Sequence, residues 1–133
     1  MKNENYEGIK TKVAVSRLMK SLVVMLPTLD EENGLRSVLP EIPTKKLDQM
    51  GWEINIWVVD GGSEDQTIAI AKEYGCDVVK QAGTGKGAAM RTGFTKFLSS
   101  QHDALVMLDA DGTYDAGEIT NLLTLLESND VVI

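Results

Sequence analysis

Four short aliphatic runs, each closed by polar or turn-forming residues, constrain this chain more than any other feature. They lie at 21–26 (Ser-Leu-Val-Val-Met-Leu), 54–59 (Ile-Asn-Ile-Trp-Val-Val), 76–80 and 104–108. Runs this short and apolar read as parallel strands covered on both faces, because such strands have no solvent side to alternate toward. Pro27 is expected to stop the first. Helical spacing fills the gaps. Leu35, Val38, Leu39 and Ile42 recur with that period until Pro40 and Pro43 interrupt it. Ser63-Glu64-Asp65-Gln66 has the capping-box pattern, with Ser63 as N-cap of a helix ending at Gly75. Ala89, Gly93, Phe94 and Phe97 mark a third helix. Asp115 with Glu118 opens a fourth, on which Ile119, Leu122, Leu123 and Leu126 form one stripe. The alternation β-α-β-α-β-α-β-α predicts an α/β domain with right-handed crossovers.

The bulk properties narrow the possible partners. With 133 residues the chain is long enough for one domain that buries about two-thirds of its unfolded surface. A net charge of −7 lacks the basic footprint of a nucleic-acid binder. Residues 1–20 carry five Lys/Arg against two Glu, a local +3 that leaves −10 for the rest. They read as a basic polar leader, a solvated tail able to touch an anionic membrane. A single cysteine, Cys76, excludes an internal disulfide, fits a reducing cytoplasm and reads as a small core residue. The apolar run before Pro27 is too short for a signal-peptide core or a spanning helix. At the other end, 130–133 (Asp-Val-Val-Ile) looks like the opening of a fifth strand, cut off. The chain is therefore expected to be the N-terminal part of something longer, or a truncated product.

A polar cluster follows each strand. The first is 27–33 (Pro-Thr-Leu-Asp-Glu-Glu-Asn), whose acids also suit a helix N-terminus as plain dipole partners. In the second, Asp60 ends a strand, and Gly61 and Gly62 let a ligand approach the backbone. Its carboxylate suits a base N–H or a ribose hydroxyl. The third, 83–93, is a glycine-rich loop opening a helix, readable as a tight turn or as a phosphate cradle supported by Lys86 and Arg91. It is not a Walker A loop, which would need Gly at Lys80 and Ser or Thr at Gly87. In the fourth, Asp109 and Asp111 stand two apart at the end of an apolar strand. Strand alternation would aim both the same way, and two hard oxygen donors there suit a divalent cation carrying a diphosphate. His102, the one histidine, reads as a surface residue without an acid partner.

In order, P-T-L-D-E-E-N (27–33), V-V-D-G-G-S-E-D-Q-T (58–67), G-K-G-A-A-M-R-T-G (85–93) and L-D-A-D-G (108–112) resemble the nucleotide-binding half of family 2 glycosyltransferases with a GT-A fold. Among them, the dolichyl- or polyprenyl-phosphate sugar transferases are the nearest in pattern, over residues 21–133. The resemblance implies that Pro27, Glu31 and Asp60 hold the nucleobase and ribose of a nucleotide-diphosphate sugar. Lys86 and Arg91 would lie near the diphosphate. Asp109 and Asp111 match the family's D-x-D pair, which holds Mg²⁺ or Mn²⁺ there. Two positions depart from the pattern: Asp30 stands where Asn is usual, and Gly61 where a second Asp is usual. The family's acceptor half, with its catalytic acid or base, lies beyond position 133.

The expectation is thus a three-layer α/β/α domain over 21–133, with a mostly parallel sheet of order 3-2-1-4. It would bind a UDP- or GDP-sugar through a divalent metal and serve transfer to an acceptor such as a polyprenyl phosphate. It would work in the cytoplasm or at the cytoplasmic face of a membrane. One alternative is a non-catalytic binding or oligomerisation module, pairing through an exposed sheet edge. Another is a sugar-1-phosphate nucleotidyltransferase, whose glycine- and arginine-rich loop after the first strand is replaced here by Pro27-Thr28-Leu29-Asp30.

Overall fold

The computed structural model describes residues 19–126. In chain order they form β1 (Lys20–Thr28), α1 (Glu32–Val38), a 3-10 turn (Leu39–Glu41), α2 (Thr44–Gln49), β2 (Trp52–Asp60) and α3 (Thr67–Glu73). There follow β3 (Asp77–Lys80), α4 (Lys86–Leu98), β4 (Ala104–Met107), a second 3-10 turn (Ala116–Glu118) and α5 (Ile119–Leu126). The strands pair in parallel in the order β3-β2-β1-β4, as expected. The expected leader lies outside the described residues except for its last two, and Lys20 already opens β1. The start of a fifth strand at 130–133 also lies outside them.

The layers follow from the alternation of side chains along the strands. On β1, Leu22, Val24 and Leu26 face one core, shared with Leu35 of α1, Leu47 of α2, Ile70 of α3, and Ile119 and Leu123 of α5. Val23 and Met25 face the other, with Trp57 and Val59 of β2 and Ala89 of α4. Helix α4 thus covers one side of the sheet and the remaining helices the other. Each fully buried Leu, Ile or Val contributes about 1.5–3 kcal/mol. Gly93 lets α4 lie this close: a Cβ there would stand 1.9 Å from Met25 Sδ. Phe94, one of the residues that mark this helix in the sequence, is exposed.

Pro27 does not stop β1, which runs on to Thr28 with Pro27 paired to Val59. The reason is the parity of the ladder. The carbonyl of Met25 accepts from Leu108 N–H, on the β4 side, and that of Thr28 accepts from Gly61 N–H, on the β2 side. Pro27 has the parity of Met25, and the β4 ladder ends at the Met25–Met107 pair. The missing N–H therefore faces a side where no rung follows. Pro40 and Pro43 do break the helix as expected, and the chain restarts in α2, which the sequence reading did not resolve. Helix α3 ends as expected at Gly75, in a Schellman motif. Cys76 N–H donates to the Ala71 carbonyl and Gly75 N–H to that of Lys72, with Gly75 at φ 76°. Cys76 is buried, and burial, with Asp77 adding to it, raises its thiol pKa to about 11. Among the described residues no helix is long and apolar enough to cross a membrane.

Candidate functional site

The loops that leave the carboxyl ends of the parallel strands enclose a cleft of about 400 Å³. Pro27, Glu31, Gly61, Lys86, Asp109 and Asp111 are on its wall. This is the end at which open α/β sheets bind ligands.

The first two loops are latched together. Asp30 sits at φ 49°, the one non-glycine residue at positive φ among those described. Its Oδ1 accepts from the N–H groups of Glu64 (2.7 Å) and Asp65 (3.3 Å), and its own N–H donates to Ser63 Oγ at 2.9 Å. Glu31 N–H donates to Thr67 Oγ1, and Glu32 N–H to Asp65 Oδ2. Ser63 is therefore not the N-cap of α3, which begins four residues later, at Thr67, with no side-chain cap. Asp65 takes the local role instead, accepting from the N–H and hydroxyl of Thr67. The Thr67 hydroxyl holds the Asp65 carboxyl below its usual range.

Asp60 is buried, and its carboxylate accepts from the N–H groups of Gly62 (3.1 Å) and Ser63 (3.2 Å). It shapes the turn beside the cleft and does not line it. Next to Asp60, whose carbonyl accepts from Gln81 N–H, Gln81 Nε2 donates to the carbonyls of Gly83 (3.1 Å) and Gly85 (3.0 Å), while Ala82 N–H donates to Thr92 Oγ1. These bonds hold the glycine-rich loop, with Gly83 and Gly85 near φ 90°, so that Lys86 begins α4 at the cleft. Gln81 lines the cleft yet gave no sequence signal, because its partners are backbone carbonyls that any residue supplies. Arg91 lies on the exposed side of α4, away from the cleft wall.

Asp109 and Asp111 both reach the cleft, although not by strand alternation. β4 ends at Met107 and the chain turns through 110–111, so each carboxylate has its own setting. Asp109 Oδ1 pairs with Lys86 Nζ at 2.6 Å. Asp111 Oδ1 accepts from the N–H (2.9 Å) and hydroxyl (2.7 Å) of Thr113, and the hydroxyl holds its carboxyl below the usual range. The bond to Asp109 raises the Lys86 pKa, so the ammonium stays charged. Gly34 of α1 lets this turn come close: a Cβ there would lie 2.1 Å from the Ala110 carbonyl and 3.0 Å from Glu31 Oε2.

The donor set fits a hard divalent cation that keeps water and substrate oxygens. Asp109 and Asp111 line the cleft two residues apart, and Asp109 already draws a cationic group. Among the described residues no third carboxylate, imidazole or thiol joins them to complete a cage. Mg²⁺ and Mn²⁺ sites shared with a diphosphate need no more than that from the protein. His102, expected at the surface without an acid partner, is half-buried, and its side chain meets a hydroxyl and an indole rather than an acid. Its Nδ1 is 2.6 Å from Ser21 Oγ, and its ring stands edge-on to Trp57. It lies at the start of β1, at the opposite end of the sheet from the cleft.

The sequence model described as Glycosyl transferase family 2 matches residues 23–133. The chain belongs to glycosyl transferase family 2. Two relatives are similar to it. Glycosyltransferase AglJ of Haloferax volcanii is 33% identical over 114 residues, covering 85% of this chain and 35% of that protein. The dolichyl-phosphate beta-glucosyltransferase of Mus musculus is 31% identical over 115 residues, covering 77% and 35%. The chain thus spans 35% of the length of each. The glucosyl-3-phosphoglycerate synthase of Mycobacterium tuberculosis shares the GT-A fold. Its complex with UDP gives a TM-score of 0.66 at 25% identity, covering 84% of this chain and 41% of that one. The same enzyme with Mn²⁺, UDP-glucose and phosphoglyceric acid gives 0.55 at 27%, covering 68% and 33%. These relatives of the family 2 chain do not favour a nucleotidyltransferase or a non-catalytic module.

Proposed function

We propose that the cleft is the donor site of a sugar transferase, taking a nucleotide-diphosphate sugar together with Mg²⁺ or Mn²⁺. The observation that carries this reading is the convergence of Lys86, Asp109 and Asp111 at the carboxyl ends of the strands, on the wall of one cleft that Pro27 and Glu31 also line. Pro27 and Glu31 hold the base and ribose. Asp60 supports that side by fixing the turn at Gly62 and Ser63. Lys86 meets the diphosphate, and Arg91, outside the cleft wall, is assigned no contact. Asp109 and Asp111 hold the cation, which when bound neutralises charge on the leaving nucleoside diphosphate.

UDP is the first donor base to test, since the similar synthase binds UDP and UDP-glucose. A phosphate-bearing acceptor is supported by the name of the mouse relative and by the phosphoglyceric acid in the synthase complex. A polyprenyl phosphate would bring the chain to the cytoplasmic face of a membrane. Thermal unfolding with UDP, GDP and their sugars, with and without Mn²⁺, tests the reading. A ligand at 100 times its Kd adds about 2.7 kcal/mol to stability. A rise in Tm that needs both nucleotide and Mn²⁺ is expected; no such rise with any of them overturns the reading.

A further inference from the structure

Lys86 and Asp109 form a close ion pair inside the proposed donor cleft, and the pair is easily opened. Lys86 Nζ lies 2.6 Å from Asp109 Oδ1, with the lysine side chain 57% and the aspartate 20% exposed. An ion pair this wet is worth about 1 kcal/mol or less. Gln81 anchors the backbone just before the lysine by bonding the carbonyls of Gly83 and Gly85. Only the flexible four-carbon stem is free to move. Asp111, by contrast, is held chiefly by Thr113, and Lys86 acts on it only through space, with no direct bond.

We infer that Lys86 is a built-in counter-ion, which neutralises Asp109 while the cleft has no donor and transfers its ammonium to the diphosphate when metal and nucleotide enter together. The inference rests on the donor-site reading above and adds an order of events to it. A free divalent cation must compete with the ammonium for Asp109. A cation that arrives with a diphosphate brings oxygens that accept Lys86 in exchange, so the carboxylate is released without stranding a charge. Lys86 thereby disfavours metal alone and favours the metal–nucleotide complex. No covalent bond is made or broken in this exchange.

The test is a pair of titrations on the whole chain. Mn²⁺ alone is titrated first, read by the loss of the free-ion signal in electron paramagnetic resonance. UDP and GDP are then titrated calorimetrically in saturating Mn²⁺. Lys86→Met is expected to bind Mn²⁺ alone about fivefold tighter than the unmodified chain, and the nucleotide about tenfold more weakly. Lys86→Arg, which keeps the charge, should stay within about twofold of the unmodified chain in both. Unchanged or weaker Mn²⁺ binding by Lys86→Met overturns the counter-ion, and unchanged nucleotide binding overturns the transfer. If the unmodified chain shows no Mn²⁺-dependent binding of either nucleotide, the donor-site reading itself falls and the inference with it. If it does bind and only the Lys86→Met metal titration is flat, the donor site stands and the counter-ion alone is lost.

Discussion

Gln81 stands in the space that a side chain on residue 61 would need. A Cβ on Gly61 would lie 3.0 Å from Gln81 Oε1, while Gln81 Nε2 bonds the carbonyls of Gly83 and Gly85. The end of β2 and the glycine-rich loop are therefore coupled through one amide. A side chain at residue 61 would require the end of Gln81 to move.

Gly61→Asp should push the Gln81 amide off the loop and cost about 1 kcal/mol, the value of a typical lost hydrogen bond. Gln81→Ala alone should cost a similar amount. Because both act on the same contact, the double variant should be more stable than the sum of the two losses implies. Urea denaturation of the four proteins measures the cycle, and additive costs would contradict the coupling.

Asp30 holds its loop at positive φ through bonds to Glu64 and Asp65. Asp30→Ala loses the Oδ1 acceptor and with it both bonds, and keeps a Cβ in a strained backbone, so about 1–2 kcal/mol of stability should go. Asp30→Asn retains an acceptor oxygen and a side chain that tolerates this φ, and should cost about half as much or less. Denaturation midpoints decide between them; equal losses would show that the latch does not work through Oδ1.

The strands were legible because each carries a short apolar run bounded by turn residues, broken only by Asn55 in β2, and the cleft because its charged residues follow those runs directly. What failed was whatever depended on distant partners. Ser63 fits a capping box by local spacing, yet its hydroxyl accepts from Asp30, 33 residues away. Asp109 and Asp111 were placed together for a reason that does not hold, since β4 ends before them. Helix α2 buries Leu47 as its one core residue, too little for a period to be seen. Pro27 stays in β1 only because β4 has already left its side, which no local pattern shows.

The Asp65 carboxyl lies below its usual range in the folded chain, held there chiefly by the Thr67 hydroxyl. A depressed folded pKa contributes stability that is present above the unfolded value and lost as pH falls through the folded one. Stability should therefore decline below about pH 4. Thr67→Val removes the main cause, and also an acceptor for Glu31 N–H, which costs stability at every pH. The stability gap between the two proteins should narrow as pH drops from about 5 to 2. A gap that stays constant across that range, measured by urea denaturation at each pH, would contradict this assignment.

In the proposed donor site, Asp109 and Asp111 make nucleotide binding depend on a divalent metal. Calorimetric titration of UDP and GDP into the unmodified chain and into Asp111→Ala, each with Mn²⁺ and with a chelator, tests it most directly. Asp111 is exposed at the cleft, so the variant should fold unchanged by circular dichroism. Expected is binding by the unmodified chain in Mn²⁺ only, and a loss of about a hundredfold or more in the variant. Equal affinity in the two proteins, or binding indifferent to the chelator, would contradict the claim.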